Sequence, residues 1–123
     1  MDFQELKLNL QDLQNRAKEI RDNVFKIEMK EKRLGEIEKQ LTKEEVWSDL
    51  DLSQKLSKEK TSLEKVLSSY KTVSDKISDS QVLLDVSIEE NDDSSIDEIS
   101  KEVNEISIMV EELEFSRMFT NKM

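Results

Sequence analysis

From Ile96 to Leu113 an apolar side chain stands at every alternating third and fourth position: Ile96, Ile99, Val103, Ile106, Val110 and Leu113. That rhythm lines the six along one narrow face of an α-helix. The first residues repeat it with Phe3, Leu6, Leu10, Leu13, Ala17, Ile20 and Val24. A third seam, Leu52, Leu56, Leu63, Val66, Tyr70, Val73, Ile77 and Leu84, has polar residues in two slots, Glu59 and Ser80. A fourth, Ile27, Leu34, Ile37 and Leu41, has Lys30 in one. A stripe this narrow covers a neighbouring helix and leaves the rest of the circumference to water, so the chain must lay helices against helices. A β-rich fold would need turn residues that are missing, since there is no Pro and one Gly, Gly35.

Failures of the rhythm mark the turns. The register slips at Asp22, Asn23 and Val24, which predicts a kink or tight turn over 22–26 and a second helix through about residue 41. "TKEEVWSDLDLS" (42–53) interrupts the pattern again, and "ENDDSS" (90–95) ends the long third segment. At about 1.5 Å per residue, a helix over 50–90 spans roughly 60 Å, a length that needs partners running beside it. Asp2 with Glu5, and Thr42 with Glu45, have capping-box spacing, and Ser48 or Asp49 can cap the long helix. Ser94 with Asp97, or Ser95 with Glu98, starts the last one. Val46 and Trp47 are the bulky pair of the second connection, and the indole is expected to plug the end of the bundle, with a partner contact as the alternative. Gly35 is expected to be exposed and tolerated, and at most three of the five Met fill seams.

Short connections force sequential helices to be antiparallel neighbours. The expectation is one all-α domain over residues 1–123, an elongated antiparallel helical bundle or intramolecular coiled coil of three to four helices, monomeric. A parallel coiled-coil dimer is the competing architecture, disfavoured because a rod has no reason to stop three times.

The chain has 123 residues, 39% charged and 5% aromatic, with neither Cys nor His. Disulfides, thiolates, imidazole bases and the usual zinc ligands are thereby excluded. Ser68, Ser69 and Ser74 have no His to activate them, and Asp92 and Asp93 lack the spacing and glycine of a calcium loop. No enzymatic constellation, cofactor site or metal site is expected. The N-terminus "MDFQELKLNL" is unlike a signal peptide, and no apolar run nears the ~20 residues of a membrane span, so a soluble, cytoplasmic chain is expected. The net charge of −10 is concentrated in residues 85–114, which hold twelve Asp/Glu and one Lys. Such a third repels phosphate backbones, which argues against a direct grip on nucleic acid. It is either a solvated helix face or a docking surface for a basic partner.

Three stretches are more specific. "VWSDLDLSQKLSKEKTSLEKV" (46–66), "KEKRLGEIEKQL" (30–41) and the closing "LEFSRMF" (113–119) resemble matching elements of the N-terminal helical domain of bacterial peptide chain release factor 2, nearly end to end. Ser116 stands where that family usually has Arg. The resemblance implies a domain of a translation-termination factor for UAA and UGA. The family's Ser-Pro-Phe codon reader and Gly-Gly-Gln hydrolytic loop would lie outside a chain with no Pro and one Gly. It also implies partners: the ribosome at the base of its stalk, and the GTPase release factor that recycles class I factors. Phe115, Met118 and Phe119 would then pack at a junction with following domains, and Arg117 would pair across it; otherwise they cap the bundle's own end. The contact residues are not fixed by the sequence. A free-standing helical scaffold or adaptor is the alternative function.

Overall fold

The computed structural model describes the backbone of residues 2–121 and the side chains of residues 2–116. Helix α1 (Phe3–Glu19) starts where Asp2 accepts the Glu5 N–H at 2.8 Å. It runs into a π turn, Ile20–Val24, and the chain then passes through Lys26 in the left-handed region (φ 49°) before α2 (Ile27–Leu41). A single-turn helix, α3 (Glu44–Trp47), leads to α4 (Leu50–Glu89), whose N-cap Asp49 accepts the Leu52 N–H at 3.2 Å. Asn91 (φ 53°) and a 3-10 turn, Asp93–Ser95, reverse the chain into α5 (Ile96–Asn121).

Cross-helix contacts fix the directions. Gln81 of α4 donates to Gln14 of α1 at 3.0 Å, and Arg33 of α2 pairs with Glu59 near the start of α4. Helices α1 and α2 therefore run in succession down α4, antiparallel to it. Ser80 of α4 donates to Glu102 of α5 at 3.1 Å, and Ser95 donates to Ser87 at 2.7 Å, so α5 is also antiparallel to α4. The seams close against each other inside one chain, giving the expected antiparallel bundle, with a fifth, one-turn helix added.

The rod has two unequal parts. In the body, α1, the second half of α4, and α5 bury Leu6, Leu10, Leu13, Ala17, Ile20, Val73, Ile77, Leu84, Ile99, Val103, Ile106, Val110 and Leu113 around one core. In the end piece, α2, α3 and the first half of α4 form a second cluster of Ile37, Val46 and Leu56, with Leu41 and Leu63 packed against them, while Ile27 at the start of α2 joins Phe25 in the body's core. The π turn joins the two parts. It accommodates an extra residue through the Phe25 N–H bond to the Ile20 carbonyl at 2.8 Å, and so re-aims the seam. Phe25, which belongs to no seam, is thereby buried.

The polar residues that interrupted the seams all have partners. Arg33 Nε and Nη2 donate to the two Glu59 oxygens at 2.6 and 2.9 Å, and Ser80 has Glu102. Lys30 Nζ donates to the Phe25 carbonyl and lies 5.9 Å over the Phe25 ring. Gly35 is exposed, and a Cβ there would meet nothing within 4 Å.

Several local expectations are corrected. Trp47 is not the plug: its residue is 57% exposed, and Val46, 7% exposed, takes that place. Successive helical residues point about 100° apart, so only one of the pair can face inward. Thr42 caps nothing downstream; its hydroxyl donates back to the Lys39 carbonyl at 2.6 Å, and α3 starts after Lys43 with no side-chain cap. At the last turn Asp92, rather than Ser94 or Ser95, accepts from the backbone, taking the Ser94 N–H at 3.1 Å. Met109 packs on the core while Met29 is exposed. The expected roles of Arg117, Met118 and Phe119 lie outside the described side chains, and Phe115 is 59% exposed.

Candidate functional site

Among the described residues, no group of three or more Asp or Glu is disposed to hold a metal ion. Asp92 is committed to the turn, where its carboxylate takes both the Ser94 N–H and the Ser94 hydroxyl. No described helix is long and apolar enough to cross a membrane. The surface concavities are grooves between helices. Two of them meet at the π turn, around Arg21, Ile27, Glu31 and Tyr70. The functional candidates are therefore surfaces, and three stand out.

The first is the acidic end of the body. The α4–α5 turn carries Glu89, Glu90, Asp92, Asp93, Asp97 and Glu98, all exposed, and α5 continues with Glu105, Glu111 and Glu112 exposed along its length. Toward the other end of the body, Arg16 of α1 donates through Nε and Nη2 to Glu114 at 3.1 and 2.5 Å, tying α1 to the far end of α5. That hydrogen bond, with the nearby carboxylates, pushes the Arg16 guanidinium above its ordinary value against a smaller opposing effect of burial. The body thus presents an acidic surface along α5, with Arg16 committed to Glu114.

The second is the joint. Lys26 holds a left-handed conformation that a Cβ-bearing residue adopts at a cost of roughly 1–2 kcal/mol. The Arg21 guanidinium and the Asp22 carboxylate pair side by side at 2.7 Å, which raises the first and lowers the second. Burial, with the Lys26 charge adding to it, pulls the Lys30 ammonium below its usual value. These groups satisfy the backbone and charges of a break in one helical line.

The third is the tip, where α3 turns the chain from α2 into α4. Val46 anchors the turn inside while Trp47, Leu50 and Leu52 face out. Residues 43–52 carry four carboxylates, Glu44, Glu45, Asp49 and Asp51, against one cation, Lys43. Behind the tip, the paired Arg33 and Glu59 hold α2 on α4; the hydrogen bonds between them raise the guanidinium and lower the carboxyl.

A match to the PCRF domain covers residues 30–123, which is α2 from Lys30 onward and all of α3, α4 and α5. The chain belongs to the PCRF-domain family. This PCRF chain is 34% identical over 115 residues to peptide chain release factor 2 of Shewanella baltica, covering 94% of the chain and 31% of that protein. It is 33% identical over 117 residues to peptide chain release factor 2 of Haemophilus influenzae, covering 95% of the chain and 32% of the relative. The same-named protein of Burkholderia pseudomallei is 33% identical over 116 residues. The PCRF chain thus spans about a third of the length of the curated relatives it matches, and the matched part is their N-terminal part. The resemblance expected from "VWSDLDLSQKLSKEKTSLEKV", "KEKRLGEIEKQL" and "LEFSRMF" is borne out at the level of family.

The sequence reading assigned no contact residues. It ranked a partner contact at Trp47 second because it gave the larger of two adjacent side chains to the interior. The signal available was the set of carboxylates around Trp47, which a plug buried in a bundle end would not carry.

Proposed function

We propose that this chain is the N-terminal arm of a bacterial class I release factor of type 2, acting in translation termination at UAA and UGA through parts of the factor outside it. In this reading the arm neither reads codons nor hydrolyses peptidyl-tRNA. It positions the factor in the cytoplasm by touching protein at the stalk base of the ribosome, and the GTPase factor that recycles release factors. The single observation that carries the reading is the identity of about a third to release factor 2 across 94% of the chain. The acidic end of the body supports a protein partner, since a surface of this sign attracts basic protein and repels phosphate. The scaffold alternative needs seams free to pair between chains, and most of the described seam residues already pack against one another within one chain, Leu52 at the tip being exposed; the arm is therefore read as a monomer.

Attraction between exposed charges is screened within ~8 Å at physiological ionic strength, so the contact should weaken with salt. Co-sedimentation of the purified chain with bacterial 70S ribosomes at low and high salt tests this. The expected result is saturable binding that falls as salt rises. Absence of binding at low salt, or binding indifferent to salt, contradicts it.

A further inference from the structure

The tip is built to present an aromatic side chain outward. The α3 turn is closed by the Val46 and Trp47 N–H groups, both donating to the Lys43 carbonyl at 3.1 Å, and by the Asp49 N–H donating to the Val46 carbonyl at 3.1 Å. Val46 is sunk into the small core beside Ile37 and Leu56. With that anchor in place the indole of the next residue must point away from the rod. Trp47 is 57% exposed, Leu50 67% and Leu52 38%, so three large apolar side chains face water within six consecutive residues. Isolated exposed apolar residues are ordinary on a soluble protein, and Leu8 and Ile108 are of that kind. An aromatic and aliphatic group on a pinned turn is different, because it loses little conformational entropy on docking and Trp leads among residues that dominate interfaces.

The rim selects the partner. Asp49 is occupied with the Leu52 N–H, but Glu44, Glu45 and Asp51 have no ion-pair partner among the described residues. Their charge faces outward around Trp47 and Leu50, which disfavours nucleic acid and anionic lipid and favours a cationic surface. We propose that the α3 turn is a protein-docking tip. Trp47 and Leu50 enter an apolar pocket of a basic protein, and Lys or Arg side chains rimming that pocket meet Glu44, Glu45 and Asp51. A cation over the indole face adds to the contact. The inference deepens the contact-arm reading and rests on it for where the partner sits, while its chemistry is tested without ribosomes.

Trp47 is the chain's single tryptophan, so its fluorescence reports the tip alone and not the acidic end of the body. The chain is titrated with a helical peptide bearing Leu on one face and Lys on the other, with the same peptide carrying Glu for Lys, and with a single-stranded oligouridylate. The Lys peptide should shift Trp47 emission to the blue and shield it from acrylamide, and the other two should do neither. Leu50→Ser, and separately the combined Glu44→Gln, Glu45→Gln and Asp51→Gln change, should each weaken that response about tenfold with helicity by circular dichroism unchanged. An unshifted emission with the Lys peptide, a response from either variant as strong as that of the unmodified chain, or a response to the oligouridylate overturns the docking tip. Because ribosome co-sedimentation tests the arm reading separately, a failure of one is distinguishable from a failure of the other.

Discussion

The body and the end piece of this rod are made from the same kind of helix and held in different ways. In the body, three seams face one another, and fifteen buried apolar residues form one core. In the end piece two helices and a single turn share three buried residues, so a bidentate ion pair and a capped helix start carry a larger share of its order. Charge divides the same way. Residues 26–66 hold ten acidic and ten basic side chains, while residues 85–114 are almost wholly acidic. The body is a self-sufficient anchor, and the end piece is a thin extension that carries Trp47 away from it.

The largest effect that separates the parts is cavity formation. Leu10, 1% exposed, lies deep in the body, and Leu10→Ala should cost about 3–5 kcal/mol by urea unfolding. Ile37 is equally inaccessible, but its thin surroundings can collapse around a smaller side chain, so Ile37→Ala should cost about 2–3 kcal/mol. Equal costs would break the comparison.

Next come backbone and cap effects in the end piece. Gly35→Ala adds a Cβ into open space in mid-helix and should stabilise by about 1 kcal/mol, seen as a higher urea midpoint. Asp49→Ala removes the cap of α4 and should cost about 1 kcal/mol. By contrast, Trp47→Ala should change stability by no more than about 0.5 kcal/mol, because an exposed indole contributes little to this core. A Trp47 loss as large as that of Ile37 would return the residue to the role of plug.

The smallest effect is a pH dependence. Hydrogen bonds from Arg33 hold the Glu59 carboxyl below its ordinary range. A carboxyl depressed in the folded state contributes stability that is present above the unfolded value, about 4.3, and is lost as pH falls through the lowered folded value. The difference in urea midpoint between wild type and Glu59→Gln should therefore be seen at neutral pH, begin to shrink as pH falls past about 4.3, and vanish only below the lowered folded value. Because both side chains are substantially exposed, the difference should be small and shrink further in salt. Arg33 stays charged throughout that range and adds no step of its own.

Much of this fold is legible in the sequence because a heptad slot states which face a residue occupies. The uninterrupted seam of Ile96 through Leu113, the break at "ENDDSS" and the slip near Asp22 all correspond to observed features. A slot does not state which residue stands across from it. The pairing of Glu59 with Arg33, 26 positions away, and of Ser80 with Glu102 depends on register between helices, which no local pattern encodes. Phe25 was illegible for a related reason: only the π turn brings it onto the core side. Trp47 was misplaced by size, since periodicity across a four-residue helix is too short to choose between neighbours. Charge alone marked the acidic end, whereas at the tip the carboxylates around Trp47 were legible and the outward turn of the indole needed coordinates.

The difference between the two parts can be measured directly by native-state hydrogen exchange across increasing, sub-denaturing urea. If the body is the anchor, the amides of Ile37 and Leu56 will open at lower free energy than those of Leu10, Ile77 and Val103, in a separate transition that leaves the body protected. Exchange of all five through one global opening, with a common free energy and a common urea slope, would contradict a rod made of a stable body and a thinner extension.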